Sequence, residues 1–99
     1  MKRQFNTDLN GEPFSEEIKR IVWQKGSSLL NYDPNKLRRD RCGHLIQYSQ
    51  FGNRHNVHGW EIDHIIPVAK GGTDAIDNLQ PLYWKSNFEK GNNLKWRCR

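Results

Sequence analysis

Asp63 and His64, side by side, are the residues of this chain whose chemistry first goes beyond packing. A carboxylate is a hard oxygen ligand for Mg²⁺ or Mn²⁺, and an imidazole can take a proton from water near neutral pH. Neighbours in a regular strand point to opposite faces, so the pair converges only where the backbone bends, and Pro67 close behind supplies a reason to bend. Asn78 follows His64 by 14 residues, and Asn87 follows Asn78 by nine. The Asn87 amide oxygen is a second hard donor, although taken alone the residue reads as a surface amide. Asn78 reads as a helix N-cap, the simpler alternative, or as an amide that pins a loop through side-chain to backbone hydrogen bonds. Arg38, Arg39 and Arg41 in KLRRDR either grip phosphate or form a solvated approach to the next strand. Arg54 is a further candidate for the neighbourhood of a phosphate. His55 and His58 read as loop surface, and His44 as a structural residue at a strand edge.

These residues need elements to hold them. A helix is expected over about 15–25: Ser15 is a fair N-cap, Glu16 and Glu17 suit the positive end of the helix dipole, and Gly26 suits the position past its end. Phe14, Ile18, Ile21, Val22 and the stem of Lys25 give it one apolar stripe. HLIQYSQF and GWEIDHII each alternate well enough for a strand, and the loop GNRHNVHG between them suggests that the two form a hairpin. Pro67 ends the second strand, and VAKGGTDAIDN is a loop. A second helix is expected from Leu79 to Lys90, with Asn78 near its N-cap, Pro81 in its first turn and Gly91 past its end. The class is therefore α+β: a β-hairpin followed by a helix, with an additional N-terminal helix.

The chain has 99 residues, 16 of them Lys or Arg and 11 Asp or Glu, a net charge of +5, and is 34% hydrophobic. That is one domain with a thin core, in which the 11% of aromatic residues must supply much of the burial. The charge is uneven. Residues 26–59 carry five basic and two acidic side chains, residues 60–84 one basic and four acidic, and residues 85–99 five basic and one acidic. No apolar run approaches the roughly 20 residues of a membrane span, and the polar start lacks a signal-peptide core. Cys42 and Cys98 make neither a disulfide framework nor a CxxC pair, so a reduced, cytoplasmic setting is the default expectation.

The stretch EIDHIIPVAKGGTDAIDNLQPLYWKSNFEKGN, Glu61 to Asn92, resembles the HNH endonuclease motif. Its pattern runs apolar-Asp-His-apolar-apolar-Pro, then Lys-Gly-Gly-x-Asp, then Asn-Leu-Gln, then Asn-x-x-Lys-Gly. The resemblance implies a ββα-metal core over about 42–92, with about 1–36 as an N-terminal helical extension of the same single domain. It implies His64 as general base and Asn78 as the residue that orients the loop of the site. Asp63 and Asn87 would bind one divalent metal ion, Mg²⁺ or Mn²⁺, and Asn87 marks an HNN-type variant. Lys90 corresponds to a phosphate contact, and the basic blocks that hold Arg38, Arg39, Arg41 and Lys85 would track a nucleic-acid backbone, DNA in first place. The implied activity is metal-dependent phosphodiester hydrolysis, and since the sequence carries no helix-turn-helix or other base-reading module, nicking or loosely specific cleavage is expected. The rivals are a nucleic-acid-binding module too weak to turn over and a small partner-binding protein. Many relatives carry two CxxC pairs around a structural Zn²⁺. This chain has none, so Trp84, Trp60 and the N-terminal helix are expected to replace that staple. Zinc on Cys42, His44 and Cys98 is not expected.

Overall fold

The computed structural model describes residues 4–99. Its first helix, α1 (Glu16–Trp23), starts where local chemistry dictates, because the Ser15 hydroxyl accepts from the Ile18 N–H. One face of α1 buries Val22 and Trp23. Its C-terminal side is tied down by Lys25, whose ammonium donates to the carbonyl of Leu79 at 2.6 Å and also to that of Ile76. The Lys25 side chain is thus a strut rather than part of an apolar stripe, and burial lowers its pKa.

Two short antiparallel ladders follow. Strand β1 (Leu37–Arg39) pairs with β2 (Leu45–Gln47), and β3 (Trp60–His64) pairs with β4 (Leu79–Tyr83). Helix α2 (Trp84–Lys90) continues directly from β4. The α+β class and the β-hairpin-plus-helix unit hold, but two expected element assignments do not. The strand within HLIQYSQF pairs with KLRRDR, not with GWEIDHII, and the helix expected over 79–90 is a strand up to Tyr83. Leu79, Leu82 and Tyr83 suit either period over so short a run, and the pairing with β3 decides. Pro81 is compatible with the strand because it faces Ile62, whose N–H turns away to the Asn6 side-chain oxygen at 2.7 Å. Asn78 therefore caps no helix.

β3 has its whole length buried, with two different faces. Trp60 and Ile62 join Val22, Trp23, Ile46 and Leu79 in the core. Trp60 sits at its centre, with the Trp23 and Phe51 rings 5.0 and 4.8 Å away. Glu61 and Asp63, on the opposite face, meet Asn87 and Lys90 of α2. Asp40 ties the two ladders together: its carboxylate accepts from the N–H groups of Cys42 and His44 and from that of Tyr83 in β4. Cys42 is disulfide-bonded to Cys98, so the two cysteines do form a staple, which corrects the expectation of free thiols. Trp60 is fully buried, whereas Trp84 is only half-buried. No helix among the described residues is long and apolar enough to cross a membrane.

Candidate active site

Asp63, His64 and Asn87 line one cavity of about 500 Å³, together with Phe5, Asn6 and the Pro67–Ala69 turn. β3 and α2 bring them there. Asp63 and His64 are the last two residues of β3, so the strand ends as the pair reaches the cavity. Asn87 lies one turn before the end of α2.

Each side chain is held by a specific partner. Asp63 Oδ2 accepts from Gln80 Nε2 at 2.8 Å, its directly opposed neighbour on β4, and Oδ1 accepts from Lys90 Nζ at 3.2 Å. Burial pushes the Asp63 carboxyl above the usual carboxylate range, opposed by the Gln80 hydrogen bond and the Lys90 charge. Glu61, two residues earlier and on the same face, accepts bidentately from Arg54 at 2.7 and 2.8 Å and from Asn87 Nδ2 at 2.9 Å. A carboxylate can only accept, so the Asn87 amide nitrogen must face Glu61 and its oxygen is left for another partner. His64 is buried, with Nε2 lying 2.8 Å from Asp74 Oδ1 and the Phe14 ring packed at 5.9 Å.

Asn78 fastens the loop after His64. Its amide donates to the carbonyls of Thr73 and Ile66 at 2.8 and 3.2 Å and accepts from the Ile66 N–H at 2.8 Å. The Gly-Gly pair lets the loop close this tightly. Gly71 has φ +93°, and a Cβ on Gly72 would sit inside the Ile66 carbonyl.

The cations fall into two groups. Lys90 is buried and bonded to Asp63 and to the His64 carbonyl at 2.9 Å, Arg54 is spent on Glu61, and Arg38 donates to the carbonyls of Pro34, Gln24 and Gly26. Of these three only Lys90 is fully buried; Arg38 and Arg54 are half-buried, with most of their donors turned to partners within the fold. Arg39, Arg41 and Lys85 are exposed. His44 stacks on Tyr83 at 3.7 Å, His58 meets the Leu45 carbonyl, His55 is exposed, and none of the three lines the cavity.

Sequence reading passed over Glu61, Gln80, Asp74 and Phe14. Glu61 was findable, because residues i and i+2 share a strand face, and Asp74 stands in the Lys-Gly-Gly-x-Asp motif. Gln80 has no signal until the β3–β4 register is known.

The donor set suits a hard cation. The Asp63 carboxylate and the Asn87 amide oxygen border one cavity, and oxygen donors of this kind bind Mg²⁺ or Mn²⁺ with water and substrate phosphate filling the shell. Among the described residues no cluster of three or more His, Cys, Asp or Glu side chains is arranged to hold a metal. Cys42 and Cys98 are bonded to each other and offer no thiolate to zinc.

A strand ending in Asp-His, an antiparallel partner and a helix that returns an amide to the same cavity define a ββα-type site. The family model for HNH endonuclease matches residues 35–93, more than half of the chain, and the chain belongs to that family. Neither the curated proteins nor the solved structures contain a significant match. Membership gives a nuclease or nucleic-acid-binding domain, in a family whose members are usually endonucleases and typically use a divalent metal.

Proposed function

We propose that this chain is a metal-dependent endonuclease that hydrolyses phosphodiester bonds, in DNA before RNA, by nicking or loosely specific cleavage. The observation that carries the reading is the meeting of Asp63, His64 and Asn87 on one cavity whose buried imidazole is held by a carboxylate. Asp63 and Asn87 would hold the divalent ion, which when bound supplies charge stabilisation to the scissile phosphate and leaving oxygen. His64 takes the proton of the attacking water. Asn78 keeps the loop that carries Thr73 and Asp74 against the end of β3. Arg39, Arg41 and Lys85 are the exposed cations that would contact the backbone, whereas Lys90, Arg38 and Arg54 act within the fold. Residues 42–92 are the nuclease core of one domain, and residues 1–36 are its extension.

A second reading, a nucleic-acid-binding module without turnover, draws support from Asp63, both of whose oxygens are engaged by Gln80 and Lys90. Plasmid nicking with Mg²⁺ or Mn²⁺ separates the two. The nuclease reading expects His64→Ala to lose about 10²–10⁴-fold in rate while still binding DNA. Equal activity in wild type and variant would falsify it. A cytoplasmic setting is part of the same reading, and the Cys42–Cys98 bond weighs against it, because disulfides persist chiefly in oxidising compartments. Thiol counting on protein quenched in the cell decides the compartment.

A further inference from the structure

His64 is the base in the reading above, but an imidazole has two nitrogens and only one can be the acceptor. Nε2 lies 2.8 Å from Asp74 Oδ1. A carboxylate accepts and cannot donate, so the neutral ring that satisfies this contact carries its hydrogen on Nε2 and its lone pair on Nδ1. Nδ1 meets no hydrogen-bond partner among the described residues, and His64 borders the cavity.

Asp74 is itself fixed from two sides. Its Oδ2 accepts from the Leu9 N–H at 3.1 Å, and the preceding residue, Thr73, is held through its carbonyl by Asn78. The Phe14 ring packs beside the imidazole, with ring centroids 5.9 Å apart. A chain of contacts thus runs from Asn78 through Thr73 and Asp74 to the ring that borders the cavity.

We propose that Asp74 is a positioning residue for His64: it fixes the Nε2–H tautomer and leaves Nδ1 as the nitrogen that takes the proton from water. This rests on the nuclease reading. In the step it serves, the water O–H proton moves to Nδ1 and the water oxygen bonds to phosphorus. The bond from phosphorus to the 3′ oxygen breaks, and the leaving oxygen takes a proton from solvent. The imidazolium formed then faces the Asp74 carboxylate across the hydrogen bond already in place.

The test uses the full chain with ¹⁵N-labelled histidine, in mildly alkaline buffer without metal. Long-range ¹H–¹⁵N correlation reports the tautomer, and a His64→Gln spectrum assigns the ring. Cleavage of a labelled DNA duplex with Mn²⁺ gives kcat and KM in parallel. Asp74→Asn keeps an oxygen for the Leu9 N–H but can offer the ring an N–H instead. It should mix or invert the tautomer and lower kcat about 10²-fold or more with KM little changed, while Asp74→Glu recovers part of both. A wild-type ring protonated on Nδ1 overturns the proposal, as does a kcat loss in Asp74→Asn with the tautomer unmoved. Should the wild type cleave nothing, the nuclease reading falls, and the tautomer spectra alone decide what Asp74 does to the ring.

Discussion

Glu61 shows how a side chain outside the Asp-His pair governs one that borders the cavity. By accepting from Arg54 and Asn87 together, its carboxylate dictates which end of the Asn87 amide faces the cavity. Glu61→Gln can offer an N–H where Asn87 needs an acceptor, which favours the flipped amide. Mn²⁺ affinity by calorimetric titration should fall about 10–100-fold, with a smaller effect on DNA binding. Asp63 carries the opposite tension. Its pKa is raised from the ordinary 3.8 by burial, so the folded protein holds this proton more tightly than the unfolded chain does. The stability it adds is complete below the unfolded value and is lost as pH rises through the folded one. Urea unfolding across roughly pH 3–7 should therefore give a wild-type minus Asp63→Asn stability difference that shrinks or changes sign as pH rises. A difference flat in pH would remove burial as the controlling cause.

At the scale of elements, the loop between β3 and β4 matters most. It joins two strands that pair over five residues, and it carries Asp74 to the His64 ring. Asn78 makes three side-chain hydrogen bonds to backbone within it, two to Ile66 just past the end of β3 and one to Thr73. Asn78→Ala leaves those backbone groups unpaired and should cost about 1–3 kcal/mol, read as a lower urea midpoint at unchanged m-value. Hydrogen exchange should quicken at Ile66 first. The elements also show what local pattern can and cannot specify. The start of α1 was legible because its cap needs only Ser15 and the next three residues. β4 was not, since LQPLY suits a helix or a strand equally well until β3 supplies hydrogen bonds along one edge. KLRRDR read as a phosphate grip or a solvated approach to a strand for the same reason: the three carbonyl partners of Arg38 come from the end of α1, from Gly26 and from the turn at Pro34, which its own sequence does not announce.

Over the whole molecule, residues outside the family match complete the site and hold the ends. The match spans 35–93, whereas Phe5 and Asn6 line the cavity and Phe14 packs on His64. Cys98, past the other end of the match, is bonded to Cys42 across 56 residues of sequence. Closing so long a loop restricts the unfolded chain, and its removal should cost about 2–4 kcal/mol. The Cys42→Ser, Cys98→Ser double variant should melt at least about 8 °C lower, and reductant should lower the wild type to match it. A melting point indifferent to both would mean that the tail adds nothing to the fold.

The acidic segment 60–84 is resolved at this scale too. Glu61 pairs with Arg54, Asp63 with Lys90 and Asp74 with His64, so this block supplies much of the buried ionic frame of the site. Sequence alone determined the α+β class, the family resemblance and the cap of α1, and it singled out Asp63, His64, Asn78 and Asn87 as candidates, because those signals lie in residue type and short spacing. Only the tertiary structure decided that β3 pairs with 79–83, that Lys90 and Arg54 face carboxylates inside the fold, that Cys42 meets Cys98, and that Asp74 reaches the imidazole. Each depends on contacts between residues far apart in the chain, or on which side of an element faces inward. A pattern of types along the chain does not contain that information until packing chooses one partner for each buried charge.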